Sequence, residues 1–220
     1  MANPKTGCPP RGDLKEKLSN LKAFWQSVGG SCAIGFSGGI DSAFLLASAI
    51  RWSKWPVYPF FVDSIFIPPQ VHTRLPKMAQ ELAAQVEIIS WEPLSVEAIC
   101  QNSQKRCYFC KKTIYNLIKE AAISLDPSCT HILDGTQHDD LFRDRPGLKA
   151  LAELSILTPL AHLGFTKKDI RACVQEWGYS FWDIPAESCL ATRFERGSPL
   201  SERGLLTLYF ELMPEKALIP

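Results

Sequence analysis

The sequence predicts an α/β fold in which helices cover both faces of a parallel sheet. Two observations carry this prediction: short apolar runs alternate with segments of helical periodicity, and the apolar runs are continuous, as in strands buried on both faces. The chain has 220 residues, of which 46% are hydrophobic. This is enough for one well-buried domain and a small appendage, and the less regular final part predicts a separate C-terminal lobe.

The expected elements follow one another in βαβ order. Apolar runs predict buried strands at 32–36 and 57–62, and further strands are expected at 86–91 and 131–133. Helical spacing is found at 14–28, 41–53, 76–85, 113–123 and 166–177. Asp13 is a candidate N-cap for the first helix, and Thr166 with Asp169 forms the pattern of a capping box. Leu205 belongs to a further short helix near the end, and Pro- and Gly-rich loops are expected near 143–147, 183–189 and 195–204.

Charge and hydropathy narrow the class of protein. The 24 Lys and Arg residues nearly balance the 23 Asp and Glu residues, so we expect no long basic surface for nucleic acid. The sequence has no continuous apolar run long enough for a membrane span, and its first thirteen residues lack the apolar core of a signal peptide. We therefore expect a cytoplasmic protein, in which the 8 cysteines do not form a disulfide framework.

The strongest motif is a glycine-rich segment, residues 37–42, between the first strand and the second helix. Gly38 and Gly39 let the backbone approach a ligand closely, and a helix N-terminus offers unpaired N–H groups to an anion. Ser37 and Ser42 add hydroxyl donors for phosphate, whereas Asp41 requires a magnesium ion between itself and the phosphates. No lysine follows the glycines, which excludes a Walker A loop. The alternative is an ordinary glycine-rich turn.

This segment resembles the loop of the PP-loop pyrophosphatases. The resemblance implies a fold of the adenine nucleotide alpha hydrolase-like (HUP) type, with ATP and Mg²⁺ as cofactors. Members cut ATP between the α- and β-phosphates, hold pyrophosphate in the loop and transfer AMP to a substrate oxygen. It also implies that residues 1–160 form the ATP-binding domain and that residues 161–220 form part of a substrate and sulfur-transfer lobe.

Polar residues follow two other predicted strands. Asp63 and Ser64 come after the second strand, and Asp134 and Gly135 come after the fourth. Open α/β sheets bind ligands at the carboxyl ends of their strands, so we expect the first pair near adenosine and Asp134 near the nucleotide or magnesium. Capping of their own loops is the alternative role of these residues.

Three cysteines are candidates for sulfur or metal chemistry. Cys107 and Cys110 form a C-x-x-C motif, and Cys189 lies in a later loop. Thiolates at the first spacing can hold two corners of a zinc or iron–sulfur site. The basic residues that flank the motif, Arg106 and Lys111, are expected to favour the thiolate form. Structural cysteines without chemistry are the alternative.

Several segments together resemble the LarE family, whose members transfer sulfur in the synthesis of the nickel-pincer nucleotide. The segments are 36–42, 106–111, 134–140, 145–147, 158–160, 168–171 and 182–189. The resemblance implies that the substrate is a pyridinium nucleotide with two carboxylates, which are adenylylated in turn and converted to thiocarboxylates. It also implies that Lys111 and Arg193 hold substrate phosphate or carboxylate, with a surface ion pair as the alternative for Arg193.

The family has two forms, and they differ in where the sulfur comes from. One form sacrifices the sulfur of a cysteine at the position of Cys189, whereas the other binds a 4Fe–4S cluster through three cysteines. The C-Y-x-C pattern at Cys107 and Cys110 matches the second form. The resemblance therefore implies a cluster held by these two residues and Cys189, with a sulfide on the open iron as nucleophile and with repeated turnover. Zinc, with Cys100 or His138 as the fourth ligand, is the competing metal.

The family continues beyond residues 202–215 into an arginine-rich lobe that binds substrate phosphate and builds a hexamer, so a homo-oligomer is expected where that lobe is complete. Other functions stay open. A tRNA-thiolating PP-loop enzyme predicts tight, salt-dependent tRNA binding, and an ammonia-dependent synthetase predicts AMP release with ammonia. A nucleotide-binding regulatory module predicts no pyrophosphate release. Cys32 and Cys173 are expected in the core, and His72 is expected at the surface or in a loop.

Overall fold

The structure is a computed structural model that describes residues 13–142 and 146–213, and it confirms the α/β class. Within these residues, one sheet contains four parallel strands in the order β3-β2-β1-β4. The strands are β1 Cys32–Gly35, β2 Val57–Asp63, β3 Glu87–Ser90 and β4 His131–Asp134. All four predicted strands are therefore present, with small differences in their ends.

The helices of the described residues connect these strands. They are α1 Leu14–Ser27, α2 Ile40–Trp52, α3 Pro69–Glu81, α4 Glu97–Cys100, α5 Arg106–Leu125, α6 Pro146–Glu153, α7 Pro159–His162, α8 Lys167–Glu176 and α9 Glu202–Glu211. Single 3₁₀ turns lie at Pro93–Ser95, His138–Phe142, Ser180–Asp183 and Leu190–Arg193. None of the helices that the structure describes is long and apolar enough to cross a membrane.

Hydrophobic packing covers both faces of the sheet, as a doubly wound fold requires. On one face α1, α2 and α8 share a core that includes Trp25, Phe44 and Cys173. On the other face α5 contributes Tyr115 and Ile118. Nine residues of α2 are buried, which agrees with a helix that is apolar on most of its surface and lies in the centre of the molecule.

A third, smaller core lies beside the sheet and joins residues of the C-terminal part of the chain to residues from the middle of the chain. Its buried members are Phe66, Ile99, Leu190, Ala191, Leu200 and Leu205. Helix α8, in contrast, packs into the main core with Ile170 and Val174. The division of the chain at residue 160 stays a prediction.

Two predicted helices begin earlier than expected. Helix α3 starts at Pro69, and Pro76 lies inside it instead of opening it. The reason is that Pro69 already occupies the first helical turn, where proline is well tolerated. Helix α5 starts at Arg106 rather than at residue 113, so the C-x-x-C motif occupies its first turns.

Other expectations were confirmed or corrected at helix ends. The capping box of α8 is present, since Thr166 and Asp169 bond reciprocally to each other's backbone N–H. Asp13 precedes α1 but makes no side-chain cap bond. The loop expected at 143–147 is partly wrong because α6 begins at Pro146; residues 143–145 lie outside the described part of the chain.

The order of the strands locates the ligand-binding edge of the sheet. From β1 the chain moves outward to β2 and β3, and it then returns to the other side of β1 as β4. The connections therefore diverge between β1 and β4, and open α/β sheets bind ligands in the crevice at such a point. The register pairs Gly35 with Asp134, which places the segments after both strands side by side.

Candidate active site

A cavity of about 660 Å³ opens at the carboxyl ends of β1 and β4. Its walls are the glycine loop (residues 37–42), the turn after β4, one side of α5, and a segment that we call the strap (residues 184–189). Ser37, Asp41 and Ser42 from the first wall and Cys189 from the last line the same space. Cys107 and Cys110 are not among the lining residues.

The glycine loop has a backbone that only glycine accommodates without strain. Gly38 has φ +70°, and a Cβ atom there would lie 2.9 Å from Val71 Cγ1 of α3. The hydroxyl of Ser42 donates to the carbonyl of Gly39 at 3.0 Å, and the Ser37 N–H donates to the Ser42 hydroxyl at 3.2 Å. Gly39 precedes α2 without a side-chain cap, so the first N–H groups of α2 are available to an anion.

The turn after β4 presses against the glycine loop. A Cβ atom on Gly135 would lie 2.7 Å from the Ser42 amide nitrogen and 2.9 Å from its Cα atom. Both contacts involve backbone atoms, which cannot move aside as a side chain can. The absence of a side chain at Gly135 therefore determines how closely the two segments approach each other.

Asp134 is a buried carboxylate at the centre of a hydrogen-bond network. Lys111 and Tyr115 of α5 donate to its Oδ2 atom, and the Thr136 N–H donates to Oδ1 at 2.6 Å. Burial alone would raise the pKa of Asp134, but Lys111, together with Thr136 and Tyr115, lowers it to about 2. Asp134 is therefore a fixed anion that anchors α5 to the ligand-binding edge.

Asp41 of the glycine loop is paired with a lysine that the sequence analysis did not single out. Lys167 Nζ donates to both carboxylate oxygens of Asp41, at 2.8 and 2.6 Å. Burial raises the pKa of Asp41, Lys167 opposes this rise, and the nearby Asp140 and Asp134 add to it. A lysine in the first turn of a helix is unfavourable for the helix dipole, and this was the available sequence signal for a role of Lys167.

The three candidate cysteines come together from two separate segments. Cys107 and Cys110 lie in the first turns of α5, and Cys189 ends the strap. Burial, together with the nearby thiols of Cys189 and Cys107, raises the pKa of Cys110 to about 12. Burial also raises the pKa of Cys189, although Arg106 opposes it. The expectation that basic neighbours favour the thiolate form of the C-x-x-C motif was therefore wrong for Cys110, because burial outweighs the charge of Arg106.

Arginines surround Cys107 on two sides. Arg106 is buried and donates to the carbonyl of Ala191 at 2.7 Å and to the Asn102 side chain. Its other nitrogen lies 3.8 Å from Cys107 Sγ, and Arg196 approaches the same sulfur at 3.8 Å. Arg106 thereby fastens the start of α5 to the residues that follow Cys189.

The chemistry of these donors fits a thiolate-held cluster, whereas a finished ligand geometry is not formed. Within residues 13–142 and 146–213, no group of three or more His, Cys, Asp or Glu side chains is arranged to hold a metal ion. Three neighbouring thiols are the type of ligand that iron–sulfur clusters take, and the two guanidinium groups at Cys107 are compatible with the negative charge of such a cluster. Cys100, the alternative zinc ligand, instead directs its thiol to the Leu200 carbonyl at 3.5 Å.

Asp63 lies at the ligand-binding edge but outside the cavity lining. Its Oδ1 atom is 2.8 Å from His72 Nε2, and His72 Nδ1 is 3.2 Å from the hydroxyl of Tyr209 on α9. The expectation that His72 lies at the surface or in a loop was wrong, since it lies in α3 and is two-thirds buried. The contact between His72 and Tyr209 had no local sequence signal, because these residues are 137 positions apart.

Two other predicted residues also lie away from the cavity wall. The Ser64 hydroxyl accepts the Phe66 N–H at 3.3 Å, which is a local turn bond. Arg193 is exposed at the end of a 3₁₀ turn. Basic residues that do line the cavity are Lys111, Lys167, Arg74 and Arg171, and of these only Lys111 was predicted.

A solved structure with the same fold defines the class of this protein. The NH₃-dependent NAD synthetase from Campylobacter jejuni, in complex with the nitrate ion, matches with a TM-score of 0.57 and 15% sequence identity. The match covers 83% of this chain and 81% of the synthetase chain. The fold is therefore of the PP-loop, HUP-like type that the sequence analysis predicted. No family model matches the chain.

Sequence relatives add a named enzyme to the comparison. An uncharacterised protein from Synechocystis is 29% identical over 87% of this chain and 70% of its own length. One from Methanocaldococcus jannaschii is 31% identical over 89% of this chain and 69% of its own length. The pyridinium-3,5-bisthiocarboxylic acid mononucleotide synthase of Lactiplantibacillus plantarum is 30% identical over 78% of this chain, which spans 62% of that protein. The chain is therefore similar over most of its length to this synthase, and it spans between 62% and 70% of the length of these relatives.

Proposed function

We propose that this protein is an ATP-dependent sulfurtransferase that acts on a pyridinium dicarboxylate mononucleotide and converts its carboxylates to thiocarboxylates. The observation that carries the proposal is that the glycine loop and Cys189 line one cavity. An activated carboxylate held at the loop is then within the same enclosed space as a sulfur atom. The name of the Lactiplantibacillus relative supports the same substrate class.

In the first step, a carboxylate oxygen of the substrate attacks the α-phosphorus of ATP. The bond between the α-phosphorus and its bridging oxygen breaks, and pyrophosphate leaves. The N-terminus of α2 holds the departing anion, since its first N–H groups have no partner within the helix. Asp41 would hold Mg²⁺ against the phosphates, and Lys167 would exchange its bond to Asp41 for a phosphate oxygen.

In the second step, a sulfur nucleophile attacks the carbonyl carbon of the acyl adenylate. The bond from this carbon to the phosphate oxygen breaks, AMP leaves and the thiocarboxylate remains. A carboxylate oxygen is a poor leaving group until it is esterified to AMP, which explains why both steps share one cavity. The strap presents Cys189 to this cavity beside the glycine loop.

The sulfur source distinguishes two versions of this mechanism. In the first, Cys107, Cys110 and Cys189 would hold a 4Fe–4S cluster, which would supply sulfide as the nucleophile. In the second, Cys189 attacks as a thiolate, and loss of its Cα proton with cleavage of its Cβ–S bond leaves dehydroalanine. The nearness of the three thiols favours the first version, and the cavity position of Cys189 alone favours the second.

The remaining predicted contacts belong to substrate binding. Lys111 follows Cys110 on α5 and lines the cavity, so it is suited to orient a substrate carboxylate while it is paired with Asp134. Arg193 is suited to a phosphate group that extends out of the cavity. Asp63, the last residue of β2, and Ser64, which follows it, stay assigned to adenosine. A cytoplasmic location and a homo-oligomer complete the proposal.

Iron and sulfide analysis after anaerobic purification tests the cluster version. We expect a coloured, iron-containing wild-type protein and a colourless Cys107→Ala variant. The matched control is Cys129→Ala, a buried cysteine in the core on the α5 face of the sheet, which should retain the iron. Tightly bound zinc, or conversion of Cys189 to dehydroalanine after one turnover, would reject the cluster.

ATP–pyrophosphate exchange tests the adenylylation step independently of the sulfur source. We expect exchange that depends on the pyridinium dicarboxylate mononucleotide and is lost in Asp41→Asn. Exchange that requires tRNA would favour the tRNA-thiolating alternative. AMP release that requires ammonia would favour the synthetase alternative, and no exchange with any substrate would favour a regulatory module.

A further inference from the structure

The strap has no helix or strand of its own and is held by side chains from other elements. At its start, Arg171 of α8 donates to the carbonyls of Trp182 and Ile184, at 2.9 and 2.7 Å. Just after its end, the Leu190 N–H donates to the carbonyl of Phe66 at 2.8 Å. The position of Cys189 therefore depends on a small set of long-range contacts.

A further contact of the strap, made by Arg74, also reaches the glycine loop. Arg74 of α3 donates through Nε to the carbonyl of Gly38 at 2.9 Å. Its Nη1 atom lies 3.5 Å from Oε1 of Glu187, two residues before Cys189. Among the described residues that line the cavity, Arg74 thus joins the glycine loop to the strap through a single guanidinium group.

The surroundings of Arg74 keep this guanidinium in a narrow range of positions. The Arg74 side chain is 16% exposed and that of Glu187 is 23% exposed, so neither moves freely in water. Val71 and Leu75, on the same helix, contact the position where Gly38 has no side chain. A planar guanidinium has donors that diverge in fixed directions, so it can serve two acceptors at once, whereas a lysine ammonium in the same place cannot span both.

We propose that Arg74 is a positioning residue that couples occupancy of the glycine loop by pyrophosphate to the position of Cys189. This inference rests on the proposed function, because it requires an anion in the loop. An anion bonded to the start of α2 restricts the backbone at Gly38, which fixes Arg74 and, through Glu187, the strap. Coupling of this kind is reciprocal, so a fixed strap also strengthens binding of the anion.

The direct test is the rate at which iodoacetamide alkylates Cys189 in the iron-free full chain, followed by mass spectrometry. The probe is inorganic pyrophosphate with Mg²⁺, and the quantity measured is the ratio of rates without and with the probe. In the wild type we expect alkylation to slow by roughly fivefold, the lower end of common coupling strengths. In Arg74→Gln we expect a ratio close to one.

Matched variants separate coupling from simple loosening of the strap. Arg171→Gln removes a strap contact that does not touch the glycine loop, so it should raise both rates and preserve the ratio. Glu187→Gln should reproduce Arg74→Gln, and the double variant should show no further loss. Arg74→Lys keeps the charge, but a lysine cannot span both acceptors, so the ratio of alkylation rates should again be close to one.

Thermal stabilisation of each variant by Mg²⁺ and pyrophosphate provides a second, independent measurement. If pyrophosphate stabilises the wild type but slows alkylation of Cys189 equally in the wild type and in Arg74→Gln, the anion merely blocks access to the thiol. The coupling is then overturned. If pyrophosphate stabilises the wild type and the alkylation of Cys189 does not slow at all, the coupling is overturned as well. If pyrophosphate does not stabilise the wild type, the proposed function itself fails, and the coupling fails with it.

Discussion

The two walls of the cavity are built in different ways. The phosphate wall consists of the glycine loop and the turn after β4, and the pairing of Gly35 with Asp134 brings these segments together. The sulfur wall combines the start of α5 with the strap, which arginine side chains hold in place. Backbone topology therefore defines the proposed phosphate site, whereas side-chain contacts between distant segments define the proposed thiol site. The two walls should respond differently to substitution.

The largest expected effect is the separation of the two reaction steps by Cys189→Ser. Sulfur transfer should fall by about 1000-fold or more, because either sulfur source requires this thiol. ATP–pyrophosphate exchange should change by less than about twofold, since the glycine loop is untouched. Cys100→Ser, which preserves a donor to the Leu200 carbonyl, is the control and should retain both activities. Parallel loss of exchange and transfer in Cys189→Ser would show that the Cys189 thiol also serves the adenylylation step.

Gly135→Ala should damage the phosphate wall through its backbone. The added methyl group would meet the Ser42 amide nitrogen at 2.7 Å. We expect a loss of about 1–3 kcal/mol in the free energy of unfolding, measured with urea, and a loss of exchange activity. Gly29→Ala is the matched control, since a Cβ atom there meets nothing within 4 Å. Equal stability of the two variants would contradict the close approach of the two segments.

Acid should weaken the network that anchors α5 to the phosphate wall. The pKa of Asp134 is lowered from its ordinary value of 3.8 to about 2, so the carboxylate stabilises the fold above pH 3.8 and loses this effect as the pH falls through 2. The contribution is about 2 kcal/mol. The free energy of unfolding, measured with urea, should fall between pH 5 and pH 2 by about 2 kcal/mol more in the wild type than in Asp134→Asn. The same acid dependence in both proteins would remove Asp134 as its cause.

The smallest expected effect concerns the helix that carries Lys167. Thr166 caps α8, and Thr166→Ala should cost about 1 kcal/mol in unfolding free energy. Asp13→Ala, at the start of α1, should cost less because Asp13 makes no side-chain cap bond. Thermal melts of both variants measure this difference, and a reversed order would contradict the assignment of the capping box.

The phosphate wall was largely predictable because its signals are local. A buried strand, two glycines and a helix start are adjacent in sequence, and each has a separate physical reason to be there. Asp134 and Gly135 were predictable in the same way, since they end a strand. Asp63 followed the same rule but pairs with His72, and strand order alone does not reveal such a contact.

The sulfur wall was predictable only as a list of cysteines. The resemblance to the LarE family identified Cys107, Cys110 and Cys189, whereas the contacts that bring them together link distant residues. Lys167 and Asp41 are 126 positions apart, and Arg74 is 36 positions from Gly38. Periodicity and motif spacing carry no information about such pairs. The start of α5 was missed because helical apolar spacing was recognised only from residue 113 onward.

The amount of thiocarboxylate formed per protein chain tests the central claim most directly. The purified chain would be incubated anaerobically with the pyridinium dicarboxylate mononucleotide, excess ATP, Mg²⁺ and sulfide, and the products would be analysed by mass spectrometry. We predict replacement of carboxylate oxygen by sulfur in more than one product molecule per chain, with AMP and pyrophosphate released alongside. AMP and pyrophosphate without any sulfur in the product would contradict the claim that one cavity joins adenylylation to sulfur transfer.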